Sequence, residues 1–231
     1  MTENTNTTDS TNNGRLVQVG AGAVTLAGLL HLPIHAHGIV LLTHGIEGSA
    51  DGSHQTALAM AQVLFQDNIA TLVVDLFTLE EQQLDAGTDY FRRNTSIMEQ
   101  RISGMAQWLL ENDETQHLAV GYFGAGATGA AVLIAAAERP DVVAAVVVVG
   151  GSLDLAQDYL PRVLSPTLLI AAQQNAQAVT QSQSALEHLT KEKRFEQVEG
   201  GMTLFETKES VTKVTQLASA WFNAHLVTIA S

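Results

Sequence analysis

HLAVGYFGAGATGAAVLIAAA, from His117 to Ala137, reads as an apolar strand, a glycine-rich turn and a helix of small residues. By length alone, the stretch Thr115 to Ala137, which holds no Asp, Glu, Lys or Arg, would suit a membrane span. Four glycines near its centre, Gly121, Gly124, Gly126 and Gly129, fit a strand, turn and helix better. A sharp turn of this kind presents a side chain for nucleophilic attack when it carries serine, cysteine or aspartate. None of the three occurs in this one.

Working outward, RLVQVGAG and AVTLAGLLHL read as a strand pair joined near Gly20 to Gly22. The G-A-G there is a hairpin turn rather than a dinucleotide loop, because no helix pattern follows it. HGIVLLTHG and IATLVVDLF are apolar strands, with a helical pattern from Ser53 to about Phe65 between them. Continuous apolarity, without alternation, marks strands covered on both faces. Met98, Ile102, Met105 and Leu109 recur at helical spacing and predict a buried helix face. DVVAAVVVVG and PTLLIAA are further buried strands, with helices near 127–138 and 177–190. RFEQVE is a last short strand, and Val211, Val214, Leu217 and Trp221 give a closing helix its apolar stripe. Strands alternating with helices predict a mostly parallel sheet with helices on both faces, and no separate cap domain. The expected layout is a flexible tail over 1–14, rich in Thr, Asn and Ser, followed by a single domain over 15–231.

The composition narrows the function. A net charge of −13 makes this an acidic protein and argues against nucleic acid or an anionic membrane as partner. Zero cysteines exclude disulfides, thiolate zinc sites and a cysteine nucleophile. The opening MTENTNTTDSTNNG has neither the basic region nor the apolar core of a secretory leader, so a cytoplasmic protein is expected. His31, His35 and His37 crowd the approach to the first central strand, and Asp51 with His54 adds a second cluster, but the spacing fits no zinc pattern. No metal and no cofactor are expected.

The segments LLTHGIEGS, ATLVVDLFTLEEQ, GYFGAGATGAA, AAAERPDVVAAVVVVGGSLDLA, PTLLIAA and EGGMTLFE together resemble the dienelactone hydrolase-like family of the α/β-hydrolase fold. The likeness runs from about Arg15 to Leu226. It implies a three-layer fold and a nucleophile, an acid and a histidine on successive loops. Matching GYFGA and AAAERPD without a gap puts Gly126 at the nucleophile position, with Gly124 keeping the first glycine of G-x-S-x-G and Thr128 replacing the last. The acid position falls on Asn175, with Gln174 as the neighbouring register, and the histidine position on Thr203. Glycine has no attacking atom, an amide carries no charge to support an imidazolium, and threonine is no general base near neutral pH. The resemblance thus implies a catalytically degenerate hydrolase, a pseudoenzyme that holds a small-molecule ligand or a protein partner.

Other residues have plainer readings. His44, Gly45, Ile46 and Glu47 correspond to the family's oxyanion-hole segment. With Ala127, whose N–H follows the turn position, they form a candidate ligand-binding set. The alternative activity is ester, lactone or thioester hydrolysis with water activated by His44 or Glu47. Thr128 reads as a packing or helix-backbone residue, Ser152 as an N-cap, and Asp75 as a loop anchor.

Overall fold

The computed structural model describes residues 14–44 and 53–226. Eight strands alternate with six helices among them: β1 (Arg15–Ala21), β2 (Val24–His31), β3 (Gly38–His44), α1 (Ser53–Gln66), β4 (Ile69–Asp75), α2 (Leu79–Asp85), α3 (Thr95–Glu111), β5 (Ala119–Ala125), α4 (Gly129–Glu138), β6 (Val143–Val149), β7 (Thr167–Ala172), α5 (Ala176–His188), β8 (Lys193–Val198) and α6 (Lys208–His225). The strands form one sheet in the order β1-β2-β4-β3-β5-β6-β7-β8. The β1–β2 hairpin adds antiparallel to β4, and all later pairings are parallel. Among the described residues this is the three-layer arrangement, without a cap domain, that the family resemblance implies.

Period-two geometry divides the apolar strands between two cores. Ile39 and Leu41 of β3 face one side with Val120 and Tyr122 of β5, beneath Met98, Ile102, Met105 and Leu109 of α3 and the small residues of α4. Val40, Leu42 and Phe123 face the other side, beneath Met60 and Leu64 of α1 and Val214 and Phe222 of α6. In α4, Ala130 to Ala137 are all buried, and the small side chains let the helix lie close on the sheet. No helix among the described residues is long and apolar enough to cross a membrane.

Two features depart from the sequence reading. Leu79–Asp85 folds as an extra helix, opened by a reciprocal cap in which Thr78 Oγ1 accepts from the Glu81 N–H and Glu81 accepts from the Thr78 N–H. The helix after the glycine-rich turn starts at Gly129 rather than near 127, because Gly126–Thr128 form a single 3-10 turn.

Candidate functional site

At the carboxyl end of β5 the chain turns through Gly126, whose φ is +56°. A side chain at this dihedral carries strain that glycine does not. Space is not the obstacle, since a Cβ built on Gly126 meets no atom within 4 Å. Thr128 holds the turn from beneath: its Oγ1 accepts from the Ala125 N–H at 2.9 Å and lies 3.2 Å from Thr43 Oγ1. The Thr43 hydroxyl donates in turn to the Phe123 carbonyl at 2.9 Å. Both threonines are fully buried, so Thr128 has the packing and backbone role its position suggests.

The loop after β6 presses against this turn. A Cβ on Gly151, at φ +98°, would lie 2.4 Å from the Gly126 carbonyl oxygen, so only glycine fits there. The loop after β7 carries Asn175, which caps α5 by accepting from the Ala178 N–H at 3.0 Å. Its Nδ2 reaches across to donate to the Met202 carbonyl at 2.9 Å. Thr203, next to Met202, accepts from the Phe205 N–H at 3.1 Å, which leaves its hydroxyl hydrogen free to turn elsewhere. Gln174 donates its main-chain N–H toward Gly200.

Gly126, Asn175 and Thr203, far apart in sequence, line one cavity of about 190 Å³. Val149, Gly150, Gly151, Ala172 and Leu204 contribute to the same walls, with Met202 exposed at the rim. None of the described lining residues is charged. The sequence reading did not single out Gly150, Gly151 or Met202. The signal was available in the paired glycines after an apolar strand, at the sheet end where ligands of such folds bind. A broader groove of about 780 Å³ along Leu84 to Thr95 shares no residue with this cavity.

The other sequence candidates fall as follows. β3 ends at His44, but its side chain lies outside the described residues, as do Gly45, Ile46, Glu47 and Asp51 and the side chain of His54. Ala127 is exposed in the middle of the 3-10 turn and is not among the cavity's lining residues. Ser152 makes no capping hydrogen bond with its side chain. Only a four-residue 3-10 turn follows it, not an α-helix. Asp75 is the expected anchor: Oδ1 accepts from the Phe77 N–H and Oδ2 from Gln82 Nε2, each at 3.0 Å. His31 is buried with Nδ1 3.3 Å from Thr71 Oγ1, and burial lowers its pKa. No cluster of metal-ligating side chains occurs among the described residues.

Comparison with known proteins places this geometry in a lineage. A dienelactone hydrolase from Anabaena variabilis is 42% identical and superimposes with a TM-score of 0.86, over 92% of this chain and 98% of its own. The esterase domain of a Rhodothermus marinus protein shares the fold at 17% identity, with a TM-score of 0.71 over 92% of this chain and 99% of its own. Two curated proteins from strains of Mycobacterium tuberculosis, provisionally named phosphoribosyl transferases, are 37% identical over 210 residues. That match takes in 91% of this chain but 46% of theirs, so the chain spans about half the length of these relatives. No family model matches the sequence. With both fold and sequence shared along nearly the whole length of the Anabaena enzyme, the chain belongs to the dienelactone hydrolase family of α/β-hydrolase folds.

Proposed function

We propose that this protein is a non-hydrolytic member of its family, whose former active-site cleft binds a small molecule. One observation carries the reading. The three positions that the family resemblance assigns to nucleophile, acid and base converge on a single cavity, and they present a hydrogen, a neutral amide and an alcohol. Convergence supports the residue matching, because all three matched residues line the same cavity. The substitutions then remove attack, proton transfer and charge support together.

A transferase acting on phosphoribosyl groups is not carried over from the curated relatives. The match covers 46% of their length, and the described cavity walls offer no lysine or arginine to hold a phosphate.

The test is hydrolysis itself. Purified protein is expected to turn over p-nitrophenyl acetate no faster than a denatured control and to leave a fluorophosphonate probe unreacted. Saturable turnover would overturn the reading, and its loss in His44→Ala or Glu47→Ala would assign the activity to that loop. The triple variant Gly126→Ser, Asn175→Asp, Thr203→His is expected to gain probe labelling. A folded triple variant that stays unlabelled would show the residue matching to be wrong.

A further inference from the structure

We infer that α2 and the turn after it form the self-association face of this protein, on which a second copy docks about a two-fold axis. This face shares no residue with the cavity at Gly126, and its role is independent of whether the protein hydrolyses.

The helix is inverted. At about 100° per residue, Glu81, Gln82 and Asp85 fall on one side of α2, and Leu79, Glu80, Gln83 and Leu84 on the other. The polar side is the one turned inward. Glu81 meets Arg101, Gln82 Nε2 donates to Asp75 and to the Phe77 carbonyl, each at 3.0 Å, and Asp85 takes Arg92 and the Phe91 N–H. The leucines look out, Leu79 at 74% exposure and Leu84 at 65%. In the following turn the exposed Tyr90 stands edge-on to Phe91, with ring centroids 5.2 Å apart. A surface helix ordinarily turns its leucines to the core. Here charge-assisted bonds hold them toward solvent, an exposure that marks an interaction surface.

Two features select a second copy as the occupant. The first is shape. A two-fold interface sets a patch against itself, so the patch must supply both projection and recess. Leu84 and Tyr90 are exposed projections, and with Phe91, Arg93 and Asn94 they also line the groove of about 780 Å³. The second is charge. A chain of net charge −13 repels its own copies over most of its surface. Over this patch acids and bases cancel: Asp89 against Arg92 at 3.3 Å and Arg93 at 2.8 Å, Glu81 against Arg101, and Asp85 against Arg92. What remains is polarised, with exposed Glu80 at the helix start and the exposed Arg93 guanidinium beyond its end. A two-fold axis between them lays the Glu80 end of one copy on the Arg93 end of the other, so opposite signs meet twice.

The experiment is sedimentation equilibrium of the full chain between about 1 μM and about 200 μM. The mass is expected to rise with concentration from 24.6 kDa toward twice that value. Leu84→Asp is expected to weaken dimerisation at least about tenfold, whereas Ile34→Asp, at an exposed apolar residue outside the patch, leaves it unchanged. Glu80→Arg is expected to weaken it about fivefold, and Glu80→Arg combined with Arg93→Glu to recover most of that loss, a reciprocity that two independent structural defects do not produce. A chain that stays at 24.6 kDa throughout, a dimer that Leu84→Asp leaves intact, or charge reversals that do not compensate would each overturn the inference. None of these outcomes bears on hydrolysis, so the proposed function stands or falls by its own test.

Discussion

At the scale of single residues, the turn at Gly126 depends on a hydroxyl that the family pattern does not ask for. Thr128 stands where the last glycine of the motif is expected and supplies the acceptor for the Ala125 N–H. Thr128→Val keeps the shape but leaves that buried donor unpaired, and is expected to cost about 1–3 kcal/mol, read as a lower denaturant midpoint. Asn175→Ala removes both a helix cap and the tie to Met202, and a loss of about 1 kcal/mol is expected in the same measurement. His31 gives a pH dependence. Burial holds its folded pKa below the unfolded value, so its contribution is fully present above about pH 6.5 and is lost as pH falls through the folded pKa. Between about pH 7.5 and pH 5 the wild type is therefore expected to lose more midpoint than His31→Gln does.

At the scale of elements, legibility followed periodicity. Each strand and the long helices were readable because their apolar residues repeat at 2 or 3.6, or run unbroken where both faces are covered. The helix Leu79–Asp85 was not, because LEEQQLD has no apolar face to repeat. Its start signal, Thr78 with Glu81 three residues on, was present in the sequence and is the one local cue that finds it. What fixes this helix is long-range. Arg101 of α3 is buried and pairs with both Glu81 oxygens, donates to the Leu76 carbonyl, and stacks 5.5 Å from the Phe77 ring. At the far end Asp85, an acidic residue in a polar run, is fully buried and accepts from the Phe91 N–H and Arg92 Nε, each at 2.6 Å. Burial alone would raise its pKa, but the bonds from Arg92 and from the main chain together lower it. Asp85→Ala is expected to cost about 1–3 kcal/mol by orphaning the Phe91 N–H, seen as faster amide exchange over residues 86–94. With its folded pKa below the unfolded one, the carboxylate stabilises above the unfolded pKa and ceases to as pH falls through the folded value.

At the scale of the whole molecule, the family and the layer order could be read from segments in series, whereas the cavity could not. Its walls come from loops after β5, β6, β7 and β8, and only the parallel sheet aligns their carboxyl ends. The residue types at 126, 175 and 203 were legible one by one, while their convergence, and the uncharged lining around them, belong to the fold. The net charge of −13 acts at this scale too, through self-repulsion of the compact state. Raising salt from about 0.05 M to about 0.5 M is expected to raise the thermal midpoint, because screening shortens the reach of that repulsion. A midpoint that falls or does not move would show that ion pairs offset it.

The bridge from Asn175 to the Met202 carbonyl resists a carboxylate at position 175. Exchanging the amide for a carboxylate sets two oxygens against each other at a contact of 2.9 Å and turns an attraction into a repulsion. An isolated Asn175→Asp step therefore loosens the rim before it can serve any imidazole. The energetic sum of Asn175→Asp and Thr203→His should be smaller when they occur together, since the new ring N–H gives the carboxylate a donor. If the protein is non-hydrolytic, as proposed, a return to hydrolysis is in this sense ratcheted: each step is penalised until its counterpart is already in place.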